Sequence, residues 1–118
     1  MLRIAVLGCG RIGRMHAANI AAHPRAQLFA VYDVNQSSAD AVAAQHDVRA
    51  FGSAEEVFAS ADVDAVLVAT VTDTHADYIE RAVAAGKPVL CEKPIDLSLE
   101  RVNRCADAVK VKRPHMIA

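Results

Sequence analysis

The sequence predicts an α/β fold, a doubly wound parallel sheet with helices on both faces. Short continuous apolar runs, typical of strands buried on both faces, alternate with alanine-rich stretches whose apolar residues recur every three or four positions. The 118 residues, 53% of them hydrophobic, suffice for one buried core, and no linker or repeat interrupts the chain. We therefore expect a single domain over residues 1–118.

The apolar runs predict the strands in order. Strands are expected at 2–7, 27–32, 48–51, 63–69 and 88–91, and a last one is expected to begin near His115. Three apolar stripes predict helices between or after these strands. Their members are Ile12, Met15, Ala18 and Ala22 in the first, Tyr78, Ile79, Ala82 and Val83 in the second, and Leu99, Val102, Cys105, Ala106 and Val109 in the third.

Capping residues support these boundaries. Ser53 and Glu56 have the spacing of a capping box, and Gly86 stands where a helix would end in a left-handed residue. Ser98 is expected to cap the last helix, and Asp73 or Thr74 the one before it.

Composition excludes several classes of protein. Thirteen basic and fourteen acidic residues give a net charge of −1, which does not favour a nucleic-acid partner. No apolar run approaches the roughly 20 residues that cross a bilayer, so a membrane span is not expected. No signal-peptide pattern is present either, and we therefore expect a cytoplasmic location. The three cysteines are widely separated, which fits reduced thiols and predicts neither disulfides nor a metal site.

The first chemical signal is a cluster of glycines after the first strand. Gly8, Gly10 and Gly13 form the pattern G-x-G-x-x-G, which permits a tight turn, close approach of a pyrophosphate and close helix packing. An ordinary strand-to-helix turn is the plainer explanation. Asp33, twenty residues beyond Gly13 at the end of the second strand, favours dinucleotide binding, because a carboxylate there can accept hydrogen bonds from a ribose. Arg14, at the position of the lysine in a P-loop, argues against a nucleoside triphosphatase.

A second signal follows the fifth strand. Glu92, Lys93 and Pro94 lie at its carboxyl end, where ligands of open α/β sheets bind, although Lys93 could equally be a solvated turn residue. Residues 70–75 end the fourth strand at the same edge, and helix capping explains their hydroxyl groups as well as binding does. His75 is interpreted first as a residue of the helix start.

These motifs make the chain similar to a known family. It resembles the glucose-fructose oxidoreductase, inositol dehydrogenase and rhizopine-catabolism family (Gfo/Idh/MocA), and within it the inositol dehydrogenases, in the segments GCGRIGRMHAANI, VYDV, VATVTDTHADYIERAVAAGKPVLCEKPIDL and PHMIA. The resemblance implies a Rossmann-type domain that binds NAD, in an enzyme that oxidises a secondary hydroxyl of inositol or a related polyol or sugar. The family's second domain, which supplies most substrate contacts, is absent from these 118 residues.

The resemblance also implies roles for individual residues. Cofactor-binding positions are Gly8, Gly10, Arg11, Ile12, Gly13, Asp33, Thr70, Thr72, His75, Glu92, Lys93 and Pro94. Lys93 matches the family lysine near nicotinamide and substrate, and is the expected catalytic residue. Val71 departs from the proline or asparagine frequent in the family, so the shape of that loop is not implied.

Two function classes remain open at this point. The chain is either the cofactor domain of an oxidoreductase or a stand-alone sensor of NAD(H) without turnover. The sequence favours the first, because Lys93 and Pro94 have no purpose in a sensor and because residues 115–118 look like a strand just begun. We expect a domain truncated at its carboxyl-terminal edge, and a homo-oligomer.

Overall fold

The computed structural model describes residues 2–70, 72–91 and 116–117. Within them a single parallel sheet has the strand order β3-β2-β1-β4-β5-β6. The strands are β1 (Leu2–Leu7), β2 (Ala26–Tyr32), β3 (Arg49–Ala50), β4 (Ala65–Val68), β5 (Val89–Cys91) and β6 (Met116–Ile117). This order is that of a Rossmann-type sheet and confirms the predicted fold class.

Helices cover the sheet on both faces. The described helices are α1 (Arg11–Ala22), α2 (Gln36–His46), α3 (Ala54–Ala59) and α4 (Thr72–Ala84). Because successive side chains of a strand point to opposite faces, β1 contributes to both halves of the core. Val6 packs with residues of α1 and α2, whereas Ala5 and Leu7 pack with residues of α3 and α4. The sheet is therefore doubly wound, as predicted.

Helix α1 lies where the sequence predicted it, but it buries a different face from the one that the apolar stripe predicted. Its buried residues are Gly13, Ala17 and Ile20, whereas Ile12 and Met15 of the predicted apolar stripe are 43% and 49% exposed. The predicted stripe lies on the exposed side of α1, because Gly13 has to pack against the backbone of Gly8. A Cβ on residue 13 would overlap the carbonyl oxygen of Gly8. That close approach sets the rotation of the helix.

Two other helices differ from the sequence prediction in detail. Helix α2 was not predicted, since only alanines and one valine of it are buried. Its one clear signal is Asn35, whose side chain accepts a hydrogen bond from the amide of Ser38. Helix α4 begins at Thr72, so the prediction that Asp73 or Thr74 caps it was wrong, and both residues lie inside the helix.

The other predicted caps within the described residues are confirmed. The Ser53 hydroxyl accepts a hydrogen bond from the amide of Glu56, and the Glu56 carboxylate accepts one from Gly52. Gly86 adopts a φ of +74° after α4, where the amides of Gly86 and Lys87 bond to carbonyls of the last turn. The predicted helix after Ser98, including Leu99 and Cys105, lies outside the described residues.

The amino-terminal edge of the sheet is held by an ion pair. Arg3 donates to Asp64 from its backbone amide at 2.8 Å and from Nε at 3.1 Å. These hydrogen bonds from the Arg3 side chain and backbone lower the pKa of Asp64. The contact joins β1 to the segment just before β4, so it fixes two central strands at the end opposite the glycine loop.

Candidate functional site

The candidate site is a cleft at the carboxyl ends of β1 and β4. These strands are neighbours in the sheet, but α1 follows β1 onto one face and α4 follows β4 onto the other. Where connections diverge in this way, a crevice opens that is the usual ligand site of an open α/β sheet. Its volume is about 300 Å³, and its lining residues are Gly8, Gly10, Arg11, Ile12, Asp33, Val34, Ala69, Thr70, Thr74 and Tyr78.

Two glycines of the loop are required by the packing of the protein itself. Gly8 has a φ of +104°, and a Cβ there would overlap the carbonyl of Ala69. Its amide donates to the carbonyl of Tyr32 at 2.7 Å, which fixes the end of β1 against β2. Gly13 lies directly on the Gly8 carbonyl. These two glycines therefore bring strand and helix together and would be needed without any ligand.

Gly10 is different, because nothing in the described part of the protein requires it. Its backbone is extended, with φ −77° and ψ −165°, and a Cβ would meet no atom of the described residues within 4 Å. It is the N-cap of α1, where no side chain caps the helix and no acidic residue lies in the first turn. Backbone amides of a helix start that face open space form a binding site for an anion. The open space at Gly10 thus fits a phosphate group that approaches the backbone.

Asp33 is held at the mouth of the same cleft. Its Oδ2 accepts a hydrogen bond from the amide of Cys9 at 2.7 Å, and its Oδ1 accepts one from the amide of Asn35 at 2.8 Å. Each carboxylate oxygen retains a further lone pair, so both can accept from a diol. The loop and the second strand therefore present an oriented carboxylate beside the candidate phosphate site.

Cys9 lies beneath this loop as a buried thiol. Its Sγ donates to the carbonyl of Tyr32 at 3.7 Å, and only 4% of the residue is exposed. Burial, with a smaller contribution from the Asp33 carboxylate, raises the pKa of the thiol to about 12. Cys9 is thus a neutral packing residue, as the sequence indicated for the cysteines.

The segment after β4 is shaped by internal hydrogen bonds. The hydroxyls of Thr70 and Thr74 bond to each other, and both residues line the cleft. His75 lies in the first turn of α4 and is 2% exposed, with Nε2 donating to the carbonyl of Thr70 at 2.7 Å. The structure therefore brings Thr70 to the cleft and places His75 behind it.

The structure assembles most of the predicted positions and adds others. Gly8, Gly10, Arg11, Ile12, Asp33 and Thr70 line one cleft, Gly13 lies beneath it, and Thr72 is the first residue of α4. Glu92, Lys93 and Pro94 lie outside the described residues. Sequence reasoning included Thr74 in the segment 70–75 at this edge of the sheet, but it did not assign Val34, Ala69 and Tyr78 to the cleft. Val34 and Ala69 directly follow strand ends and Tyr78 is one turn beyond Thr74, but these signals are too general to select them.

No membrane-spanning helix and no metal cluster is found in the described part of the chain. None of its helices combines the length and the apolar character that a bilayer crossing needs. Its His, Cys, Asp and Glu side chains form no group of three or more that could hold a metal ion.

A parallel sheet of this order, a glycine loop open at Gly10 and a carboxylate after the second strand together define a dinucleotide-binding domain. A family model described as "Oxidoreductase family, NAD-binding Rossmann fold" (GFO_IDH_MocA) matches residues 2–116. The chain belongs to this family, and its cofactor is NAD.

Individual relatives agree with the family. An inositol 2-dehydrogenase of Rhizobium meliloti (strain 1021) is 46% identical over 110 residues, which are 92% of this chain and 32% of that protein. A solved myo-inositol dehydrogenase of Corynebacterium glutamicum superposes with a TM-score of 0.91 and 43% identity, over 98% of this chain and 35% of the other. GenD2 from gentamicin A biosynthesis, solved with NAD, gives a TM-score of 0.90 and 32% identity over 98% and 33%. The chain thus spans about a third of the length of the relatives it matches.

Proposed function

We propose that the chain is the NAD(H)-binding domain of a dehydrogenase that oxidises a secondary hydroxyl of inositol or a related polyol or sugar. The observation that carries the cofactor half of this proposal is the open space at Gly10, beside the oriented carboxylate of Asp33. The substrate half is supported by relatives named as inositol dehydrogenases. The alternative of a stand-alone sensor finds no support in these relatives.

Residues of the cleft have distinct roles in this proposal. The amides at Gly10 and Arg11 hold the pyrophosphate, aided by the Arg11 guanidinium. Asp33 accepts hydrogen bonds from the adenosine ribose. Thr70, with Thr72 and His75 in the segment after it, shapes the wall beside the nicotinamide ribose, because His75 bonds to the Thr70 carbonyl. Ile12, exposed at the start of α1, offers an apolar contact.

Oxidation of the substrate separates a hydride from a proton. When bound, NAD⁺ would supply the acceptor for a hydride from the carbinol carbon, while the hydroxyl proton would leave to a base and a ketone would form. Lys93 is proposed to orient that hydroxyl and to favour the loss of its proton, and its sequence neighbours Glu92 and Pro94 are proposed as cofactor-binding residues. Residues 1–118 serve as the cofactor domain, and a homo-oligomer in the cytoplasm is part of the proposal.

Titration calorimetry of the chain with NAD⁺ and NADH tests the cofactor site. We expect measurable binding that Asp33→Ala weakens by tenfold or more, because hydrogen bonds to a charged group contribute about 1.5–3 kcal/mol. Asp40→Ala is the matched control, since Asp40 is an exposed aspartate of α2 and does not line the cleft. Folded chain that takes up neither form of the cofactor would refute the assignment.

A test of the proposed polyol oxidation requires the remaining part of an enzyme as well as this chain. The chain alone, with NAD⁺ and myo-inositol, is expected to form no NADH at a useful rate, because orientation of the substrate is worth roughly 7–11 kcal/mol and needs residues on both sides. A chimera in which the chain replaces the matching segment of the Rhizobium meliloti relative should restore turnover. In that chimera Lys93→Met should lower kcat and leave NAD⁺ affinity unchanged. Unchanged turnover would remove Lys93 from the mechanism.

A further inference from the structure

A second cavity lies at the end of the sheet opposite the cofactor cleft. Its volume is about 220 Å³, and its polar lining residues are His23, Gln27 and His46. We call it the histidine cavity; it shares no lining residue with the cleft. We propose that this cavity binds a small monocarboxylate with an apolar body, through the imidazoles of His23 and His46. The inference does not depend on which cofactor the cleft binds.

The fold brings the ends of two helices to this cavity. His23 is the C-cap of α1, and His46 is the last residue of α2. In a parallel sheet each helix returns the chain from the carboxyl end of one strand to the amino-terminal end of the next. Both helices therefore end at the same edge, and two imidazoles that are distant in sequence line one cavity.

A hydrogen bond from the backbone fixes the chemical character of the His23 imidazole. Its Nδ1 accepts from the amide of Arg25 at 3.0 Å. A ring nitrogen that accepts a hydrogen bond carries no proton, so the proton of the neutral ring is on Nε2. His23 therefore offers an N–H donor, and the group that pairs with it has to be an acceptor.

The same hydrogen bond argues against a metal ion as the occupant. A neutral imidazole that binds a metal through Nε2 carries its proton on Nδ1 and usually donates it to an acceptor. At His23 the group that meets Nδ1 is itself a donor, the amide of Arg25. Within the described residues, no group of three metal-ligating side chains includes His23 and His46. An acceptor ligand is thus favoured over a cation.

His46 supplies the second donor. Its imidazole is partly buried and makes no hydrogen bond or ion pair with the part of the chain that the structure describes. No carboxylate is among the described residues that line the cavity, and Asp47, the exposed C-cap of α2, is not one of them. Two imidazole donors without an internal acceptor suit the two oxygens of a ligand carboxylate.

The remaining wall of the histidine cavity is apolar and selects the body of the ligand. Leu28 is 4% exposed, and Ala26 and Val48 pack against the same core cluster. A cavity of about 150 Å³ can hold benzene, so the histidine cavity has room for a body of that size with one carboxylate. Inorganic phosphate would leave the apolar wall uncovered, and its second charge would lie near the carbonyl ends of two helices.

Benzoate is the probe for this cavity, and benzamide is its neutral counterpart of similar shape. Both are titrated into the ¹⁵N-labelled chain at pH 7.5 and followed through the amide resonances. We expect benzoate to shift the amides of Arg25, His46 and Val48, with a Kd in the millimolar range because so small a ligand has few contacts. Benzamide should bind about fivefold or more weakly, since a carboxylate accepts the stronger hydrogen bonds. Benzoate shifts confined to the cofactor cleft would overturn the inference.

The imidazole nitrogens give an independent spectroscopic readout. Long-range ¹H–¹⁵N spectra of the free chain should show His23 as the Nε2–H tautomer, because its Nδ1 accepts from Arg25. Benzoate should shift the Nε2 signal of His23 and the ring signals of His46. A His23 ring with its proton on Nδ1 would refute the donor role on which the proposal depends.

Substitutions at His46 test the second donor. His46→Phe keeps an aromatic ring without its nitrogens and should weaken benzoate about tenfold, whereas His46→Gln keeps a donor and should cost no more than about threefold. Gln45→Phe is the matched control, because Gln45 is the exposed neighbour of His46 on α2 and does not line the cavity. It should leave benzoate affinity unchanged.

His23→Phe should also weaken benzoate about tenfold. If loss of the bond to the Arg25 amide prevents that variant from folding, the His46 variants keep the test decisive, since His46 makes no such bond with the described residues. Retained benzoate affinity in a folded His46→Phe variant would overturn the inference, as would equal affinities for benzoate and benzamide. Binding of Zn²⁺ or inorganic phosphate at these histidines, without binding of benzoate, would also refute a carboxylate site.

Discussion

Substitution of Gly10 by alanine separates ligand binding from folding. The extended backbone of Gly10 accommodates alanine, and within residues 2–70, 72–91 and 116–117 the added Cβ meets no atom closer than 4 Å. Reduced freedom of the unfolded chain should stabilise the variant by about 0.4–1 kcal/mol. Alanine is a poorer N-cap than glycine, which costs about the same amount, so we expect the free energy of unfolding to change by no more than about 0.5 kcal/mol.

The affinity for NAD⁺ should fall much more than the stability. The new methyl group projects into the space where a phosphate would approach, and loss of one amide–phosphate hydrogen bond is worth about 1.5–3 kcal/mol. That corresponds to a Kd raised about 10- to 150-fold, measured by calorimetry beside urea unfolding of the same samples. Unchanged NAD⁺ affinity in a stably folded Gly10→Ala variant would show that the phosphates do not lie at this loop.

Two other glycines serve as controls, because their substitution should change the stability of the fold and not the affinity for NAD⁺ directly. Gly86→Ala places a side chain at φ +74°, away from the cleft, and should destabilise the fold by about 1 kcal/mol without a change in NAD⁺ affinity. Gly13→Ala should prevent stable folding, because its Cβ would overlap the backbone of Gly8. A Gly86→Ala variant that loses cofactor affinity would mean that affinity follows general stability.

Three further predictions follow from the electrostatics of the described residues. NADP⁺ should bind more weakly than NAD⁺, since Asp33 repels a 2′-phosphate and Val34 and Asn35 supply no cation; equal affinities by calorimetry at low salt would contradict this. Asp64 has a lowered pKa in the folded state, so its stabilising contribution is present above the pKa of the unfolded chain and is lost as the pH falls through the folded value. Asp64→Asn should therefore flatten the decline of the urea midpoint between pH 7 and pH 3, and a decline as steep as in the wild type would show that other carboxylates cause it. Cys9, with a thiol pKa of about 12, should resist alkylation by iodoacetamide at pH 8 until the chain unfolds, and mass spectrometry showing rapid modification of folded protein would contradict its burial.

The location of the site could be predicted from local pattern. The glycine spacing and Asp33 follow predicted strands, and the carboxyl ends of parallel strands share one edge of a sheet. The contribution of Val34 and Tyr78 could not be predicted in the same way. Val34 and Tyr78 are 44 positions apart in the sequence and reach one cleft from opposite faces of the sheet. No local periodicity reports that meeting.

The alternation of strands and helices, the caps at Ser53 and Gly86 and the chemistry of the glycine loop all follow from local sequence, because each depends on residues within one or two turns of each other. Which face of α1 is buried, by contrast, depends on contacts that form only in the folded domain. Local periodicity selected the side of Met15, but the contact of Gly13 with the Gly8 carbonyl turned Ala17 and Ile20 toward the sheet. The fold likewise determines that, of the three loop glycines, Gly10 faces open space. Gly8 and Gly13 are constrained by backbone atoms that packing brings close to them. The need to avoid steric overlap between two backbone segments determines the orientation of α1 more strongly than a weak apolar stripe does. These two segments approach each other only when the chain folds.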